Sequence, residues 1–375
     1  MKLALVLWSG RIGGAETFSV ALAGRLRRLG ADATVVFVEK PRDLGLRLSR
    51  QEVPYRSLDF RRGRDVLRHP RRYAAAVSSV GPDGALLLEC GYIGAALRAG
   101  GFPGPIVGVE HGAALLESRV LSRPRRLLRR INRVSGAWAD DAEVAVSDFM
   151  LEHTRRHPHA HRVRRIYNGI DPDQYIPASL PAVSSPRLVV GYAGRLIPGK
   201  GADHLIRAIA EASDKSPTAL LIAGDGPERQ RLASLAQELG VASKVDFLGA
   251  IDDVPAFWQR CDVAVVPPDT LRESFSMVTL EAMTCGKPIV ATRRGALTEL
   301  VADGVTGTIV PPGDASALAR ALVTYAERPK LRLAQGAAAR TRAIERFHIE
   351  DCARAYLDLF GELAVRRSTR ARRAW

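Results

Sequence analysis

Cysteine is scarce in this chain. Its 375 residues hold four, Cys90, Cys261, Cys285 and Cys352, widely spaced and without a Cys-x-x-Cys pair. That spacing argues against a disulfide framework or a zinc ribbon, and predicts reduced thiols in a cytosolic protein. Aromatic residues are also few, at 6%. A nucleic-acid stacking platform needs rings interleaved with basic residues, and the stretches "RRGRDVLRHPRRY" and "RPRRLLRRINR" offer little of that. No apolar run approaches the ~18–20 residues of a membrane span. The opening "MKLALVLW" is too short for a signal-peptide core and breaks at Ser9-Gly10-Arg11 without a small-residue cleavage site, so it reads as a first β-strand. Repeats at solenoid periods are missing, and low complexity is confined to the terminal "RRSTRARRAW".

What is present suits a large α/β protein. Apolar residues make up 46% of the chain, and its length allows two ordinary domains. Strand-like runs alternate with helical stretches: "KLALVLW", then "ETFSVALAGRLRRLG", "DATVVFV", and later "GALLLEC", "PIVGVEH" and "AEVAVS". This is the βαβ signature of a doubly wound parallel sheet. The Pro- and Ser-rich "DPDQYIPASLPAVSSPR" lacks periodicity and reads as a linker, after which the pattern restarts at "RLVVGYAGR". The expectation is two Rossmann-like domains, 1–172 and 188–349, joined by a linker at 173–187 and facing a central cleft. The last helix, about 350–366, is expected to cross back to the first domain.

The net charge is +15, and it is unevenly placed. Residues 1–175 carry an excess of +11, nearly all arginine, against +2 for 187–349 and +2 from 350 onward. Such an excess attracts nucleic acid, an anionic membrane face or a phosphorylated substrate; it also suits a plain solvated surface.

Several motifs carry chemistry. "CDVAVVPP" reads as a buried strand and "SMVTLEAMTCGK" as the helix after it. Glu273 then falls in the loop, and Glu281 about two turns into the helix, with Ser274 or Ser276 as its cap. A helix N-terminus at the carboxyl end of a parallel strand attracts anions, which carboxylates would repel. The two glutamates are therefore better placed to accept hydrogen bonds from sugar hydroxyls. "GYAGRLIPGKG" sets Arg195 and Lys200 in a glycine-rich loop, a guanidinium fork and a point charge suited to phosphate. "SGRIGGAETF" places Gly10, Gly13 and Gly14 between a strand and a helix, as a tight turn or a phosphate site. His111 follows the strand "PIVGVE" and reads as either a structural or a site histidine. Asp171 and Asp173 spell Asp-x-Asp, but in a turn that makes a metal role improbable. His153, His157, His159 and His161 lack the carboxylate or thiol of a credible metal set.

Taken together, "GGAE", "EHG", "NGID", "GRLIPGKG", "GDGP", "ESFSMVTLEAMTCGKPIVAT" and "GALTELVADGVTGTIVPPGD" resemble the retaining GT-B glycosyltransferases of family four over nearly the whole chain. The resemblance implies a nucleotide-sugar donor such as a UDP- or GDP-sugar, and no cofactor or metal. It also implies a carbohydrate, lipid-linked or small-molecule acceptor, in cell-envelope polysaccharide, glycolipid or other glycoconjugate synthesis. On matching positions, Arg195 and Lys200 grip the donor diphosphate and Glu281 binds the ribose. Glu273 holds the sugar hydroxyls, with the backbone of Ser274, Phe275, Ser276 and Met277 near sugar and phosphate. Gly13 and Gly14 leave room for phosphate and acceptor, and His111 contacts the donor sugar. The sequence departs from the family at Ser276, where a glycine is common, and at Arg293 and Arg294, which take no role from the pattern. The rival readings are a GT-B-related nucleotide-sugar epimerase and a basic nucleic-acid-binding protein. A helix over "SRPRRLLRRINRVSGAW" would carry Leu127, Leu128, Ile131 and Trp138 on one side. Its arginines, Arg125, Arg126, Arg129 and Arg130 among them, would be solvated or would meet anionic lipid at the cytoplasmic membrane face.

Overall fold

The structure, a computed structural model, describes residues 1–10, 13–61, 63–88, 92–112, 138–155, 162–177 and 187–373. The chain divides into two compact units, Met1–Gly169 with Ile349–Trp375, and Ile170–His348. Each is an α/β sandwich around one parallel sheet.

In the first unit the order is β1 (Lys2–Leu7), α1 (Gly14–Arg28), β2 (Asp32–Phe37), α2 (Arg42–Arg50), β3 (Tyr55–Ser57), α3 (Pro70–Ser78), β4 (Gly84–Leu87), α4 (Tyr92–Ala99), β5 (Ile106–Glu110), β6 (Ala142–Ala145), α5 (Asp148–Thr154) and β7 (Val163–Arg165). The sheet runs β3-β2-β1-β4-β5-β6-β7, all parallel. Helices cover both faces of such a sheet, so its central strands are apolar throughout rather than alternating. β1 shows this, with five of its six residues buried. Val6, Val36 and Leu87 from the sheet meet Tyr73, Ile93 and Leu97 from α3 and α4 in one core. Burying each Leu or Ile side chain contributes ~1.5–3 kcal/mol.

The second unit holds β8 (Leu188–Ala193), α6 (Ala202–Ser213), β9 (Thr218–Ala223), α7 (Arg229–Glu238), β10 (Val245–Gly249), α8 (Val254–Gln259), β11 (Val263–Val266), α9 (Met277–Thr284), β12 (Ile289–Thr292), α10 (Leu297–Leu300), β13 (Gly307–Val310), α11 (Ala315–Glu327) and α12 (Pro329–Arg346). Its parallel sheet runs β10-β9-β8-β11-β12-β13. Leu205, Ile206 and Ile209 of α6 pack with Leu318 and Leu322 of α11 over Val190, Leu220 and Val263.

The final helix, α13 (Ile349–Arg373), belongs to the first unit. Phe360 and Tyr356 are buried there, and Glu350 pairs with Arg25 at 3.2 Å. Farther along, Arg367 reaches Asp141 at 3.1 Å, which also holds Arg98 at 2.5 Å. Asp140, next to it, is buried without such a partner among the described residues, where its Oδ1 makes no hydrogen bond. Burial first, then Glu143 and Asp141, pushes its carboxyl well above the usual range. A raised folded pKa favours the neutral acid, so stability present below the unfolded value is lost as pH rises toward the folded one. Asp140→Asn removes that loss while keeping the shape. The variant is expected to melt higher than the parent at pH 7.5, with the gap closing near pH 4. Equal melting temperatures at both pH values would contradict this.

Cys261, Cys285 and Cys352 are buried free thiols, and burial pushes Cys261 and Cys285 up to about 12. Cys90 lies outside the described residues, as do His157, His159, His161 and the arginine-rich run 121–137. Trp138, at the end of that run, is 67% exposed. No helix among the described residues is long and apolar enough to cross a membrane.

Candidate functional site

In the second sheet, strand order reverses between β8 and β11. Loops leaving the carboxyl ends of two such strands diverge, and the crevice between them is where ligands bind in open α/β sheets. The loop after β8 carries Arg195 and Lys200, and the loop after β11 carries Glu273. Backbone bonds tie these loops together: the amides of Asp269 and Leu271 donate to the Gly199 carbonyl at 3.2 and 3.4 Å. The Lys200 ammonium then donates to Glu273 Oε1 at 2.5 Å. Beneath them Tyr192 is buried, and its phenol is pushed up by burial and then by the Glu273 charge. Arg195 is exposed and has no carboxylate within ion-pair distance among the described residues.

Glu281 sits one turn into α9 rather than two, because the helix starts only at Met277. Ser276 is the cap: its hydroxyl oxygen accepts from the Thr279 amide at 3.3 Å and the Thr279 hydroxyl at 2.9 Å. The first amides of α9, Met277 and Val278, lack intrahelical acceptors by position, giving the helix start its positive end. Phe275 is buried with its ring edge-on to Phe347 at 5.8 Å, which anchors the loop between the two glutamates. Glu281 itself is only 8% exposed. Tyr175 donates its hydroxyl toward Glu281 Oε1 at 3.5 Å, while Arg340 donates to the carbonyls of Tyr175 and Thr284.

A third loop completes this edge. The residues after β12 fold against Glu273, with the Ala296 amide donating to the Glu273 carbonyl at 2.8 Å. Gly295 has φ +57°, and a Cβ there would lie 2.1 Å from the same oxygen. Neither this clasp nor Tyr175 was legible locally: Tyr175 lies in the stretch read as linker, and Gly295 has no side chain to mark its contact with Glu273.

Gly13, Gly14 and His111 lie in the first unit, and Asp171 in the second. Gly13 caps α1 with extended backbone, and Gly14 is its first residue. The first turn carries Glu16, whose Oε2 would stand 2.4 Å from a Cβ on Gly13. A carboxylate therefore already faces the positive end of that helix. His111 follows β5, its ring edge-on to Phe18 of α1 at 6.3 Å. Burial pushes the imidazole down to about 4, so the ring is neutral at neutral pH. Asp171 is spent on its own turn: its carboxylate accepts from the Asp173 amide at 3.3 Å and from Gln174 Nε2 at 3.2 Å. Among the described residues no three His, Cys, Asp or Glu side chains gather as metal ligands.

Comparison with known proteins extends the picture. The family model described as Glycosyltransferase Family 4 matches residues 12–174, and that described as Glycosyl transferases group 1 matches 181–342. A GDP-mannose-dependent alpha-(1-6)-phosphatidylinositol monomannoside mannosyltransferase of Mycolicibacterium smegmatis is 34% identical over 261 residues, 64% of this chain and 65% of that protein. A D-inositol 3-phosphate glycosyltransferase of Streptomyces avermitilis is 31% identical over 279 residues, 68% of this chain and 60% of that one. The chain thus spans less than two thirds of the length of these relatives. Among solved structures, Anabaena HepE in complex with UDP-glucose superposes with a TM-score of 0.83 at 23% identity, covering 96% of this chain and all of that one. Sucrose-phosphate synthase from Thermosynechococcus elongatus gives 0.78 at 23%, covering 96% and 98%. These last two likenesses establish the fold, and the fold is GT-B. With one family model on each half and the second half's motif loops gathered at a single sheet edge, the chain belongs to the group 1, family 4 glycosyltransferases.

Proposed function

We propose that the protein is a retaining glycosyltransferase that moves a sugar from a nucleotide-sugar donor to an acceptor hydroxyl. One observation carries the reading: Lys200 and Glu273, 73 residues apart, meet at 2.5 Å at the strand-order reversal, with Arg195 on the same loop as Lys200. Glu281, one turn into the next helix, takes the ribose, and Tyr175 orients its carboxylate. A donor diphosphate displaces Glu273 from Lys200, and the freed carboxylate accepts hydrogen bonds from the sugar. The backbone of Ser274–Met277 lies toward sugar and phosphate.

In the reaction, the bond from the anomeric carbon to the phosphate oxygen breaks and a bond to the acceptor oxygen forms on the same face. The acceptor proton passes to the departing phosphate, so no protein base is required. Two cations and the start of α9 stabilise the charge that develops on the nucleoside diphosphate. His111, neutral and half-buried, acts on the donor sugar as a hydrogen-bonding group and not as a cation; Gly13 and Gly14 leave space for phosphate and acceptor. The named activities of the relatives favour an inositol-phosphate or lipid-linked acceptor, and one of them a GDP-sugar; a UDP-sugar and a role in envelope glycoconjugate synthesis remain part of the proposal. On this reading the work is cytoplasmic, with the basic first half drawn toward an anionic membrane face.

The diphosphate has protein cations available, so turnover is expected to persist after EDTA treatment. NMR of the first product should show the donor's anomeric configuration. Activity recovered only with magnesium or manganese would overturn the metal-free part, and an inverted product the retaining part.

A further inference from the structure

We infer that Arg294 is a further donor-binding residue, whose guanidinium takes an oxyanion of the nucleotide sugar. This rests on the reading of the Lys200–Glu273 edge as the donor site. Arg293 and Arg294 leave the carboxyl end of β12, the neighbour of β11 in the sheet. The next two residues clasp Glu273, through the close approach of Gly295 and the Ala296 amide at 2.8 Å. Arg294 is therefore fixed at the base of the loop that would hold the donor sugar.

The two arginines differ. Arg293 is exposed, whereas Arg294 is half-buried. Its Nε is shut off from water and makes no hydrogen bond among the described residues. Among the described residues no carboxylate forms an ion pair with it; the nearby acid, Glu273, is already held by Lys200. A buried guanidinium donor without an acceptor is unfavourable, and a planar fork of N–H groups matches carboxylate or phosphate oxygens. Lys200 shares its charge with Glu273, so the edge still has cationic capacity that Arg294 supplies. Two groups on a nucleotide sugar offer such oxygens: the diphosphate, and a carboxylate where the sugar is a uronic acid.

Isothermal titration with UDP, UDP-glucose and UDP-glucuronate, and their GDP counterparts, tests this on the full chain. Arg294→Met is expected to weaken binding at least tenfold, Arg294→Lys to recover part of it, and Arg293→Met to stay within twofold of wild type. Unchanged melting temperatures separate binding from folding. An equal loss for every ligand assigns the diphosphate, and a loss confined to the glucuronate assigns the carboxylate; both support the inference. Wild-type affinities in Arg294→Met, or a loss confined to neutral sugars, would overturn it. If the wild-type protein binds none of these ligands, the donor-site reading itself fails.

Discussion

Lys200→Ala is expected to lower kcat/KM for the nucleotide-sugar donor by at least a hundredfold without unfolding the protein. The lysine is on a loop whose path is set by other bonds, including its own amide to the Ile197 carbonyl and the Gly199 carbonyl to Asp269 and Leu271. The side chain can go while the loop stays. Its loss removes a cation preorganised where charge develops, worth on the order of 3–4 kcal/mol at the transition state. It also strips Glu273 of its 2.5 Å partner, freeing the carboxylate to repel the incoming diphosphate. Both effects act in the same direction. Arg195→Ala removes an exposed cation without orphaning an acid, so its loss is expected to be smaller. Steady-state kinetics with melting curves decide the matter. Turnover within threefold of wild type in both variants would remove these cations from the site.

The second large effect is expected from Gly295→Ala, a substitution that changes no charge. The positive φ costs an alanine about 1–2 kcal/mol. Its Cβ would also stand 2.1 Å from the Glu273 carbonyl oxygen and 2.7 Å from the Glu273 nitrogen. These neighbours are backbone, so one of the two loops has to move. A ~1 Å displacement of a positioning group can cost on the order of a hundredfold in rate, and that is the expected fall in kcat/KM. Gly304→Ala is the control: φ is +74° there, but nothing lies within 4 Å of the added Cβ. It should share the strain, melt a few degrees lower, and keep its activity. Equal activity in the two variants would show that the clasp does not hold Glu273 in place.

The fold was legible because its strands are buried on both faces. "CDVAVVPP" contains Val263–Val266 of β11, and "KLALVLW" contains β1, each a short apolar run closed by a breaker. The candidate site was half legible. Arg195, Lys200, Glu273 and Glu281 stand out by residue type and spacing, and the structure places all four in the second unit, with the first three on the loops after β8 and β11. Their pairing was not legible, since Lys200–Glu273 and Tyr175–Glu281 join residues 73 and 106 positions apart. Of the two serines offered as caps for α9, the structure uses Ser276, so Glu281 stands one turn into the helix and not about two. The Ala296 amide and Gly295 hold Glu273 in a loop, and the Ser276 cap delays the helix to Met277. Asp140 gave no local sign either, because its burial depends on elements that pack around it from elsewhere in the chain.

The central claim is that this chain transfers sugar from a nucleotide donor held by the second unit. The most direct measurement is release of free nucleoside diphosphate from a panel of UDP-, GDP- and ADP-sugars, followed for wild type beside Lys200→Ala. The account predicts slow release from one donor class by the wild-type protein, acceleration when a matching hydroxyl acceptor is supplied, and loss in the variant. Release that is absent with every donor and acceptor, or equally fast in Lys200→Ala, would contradict it.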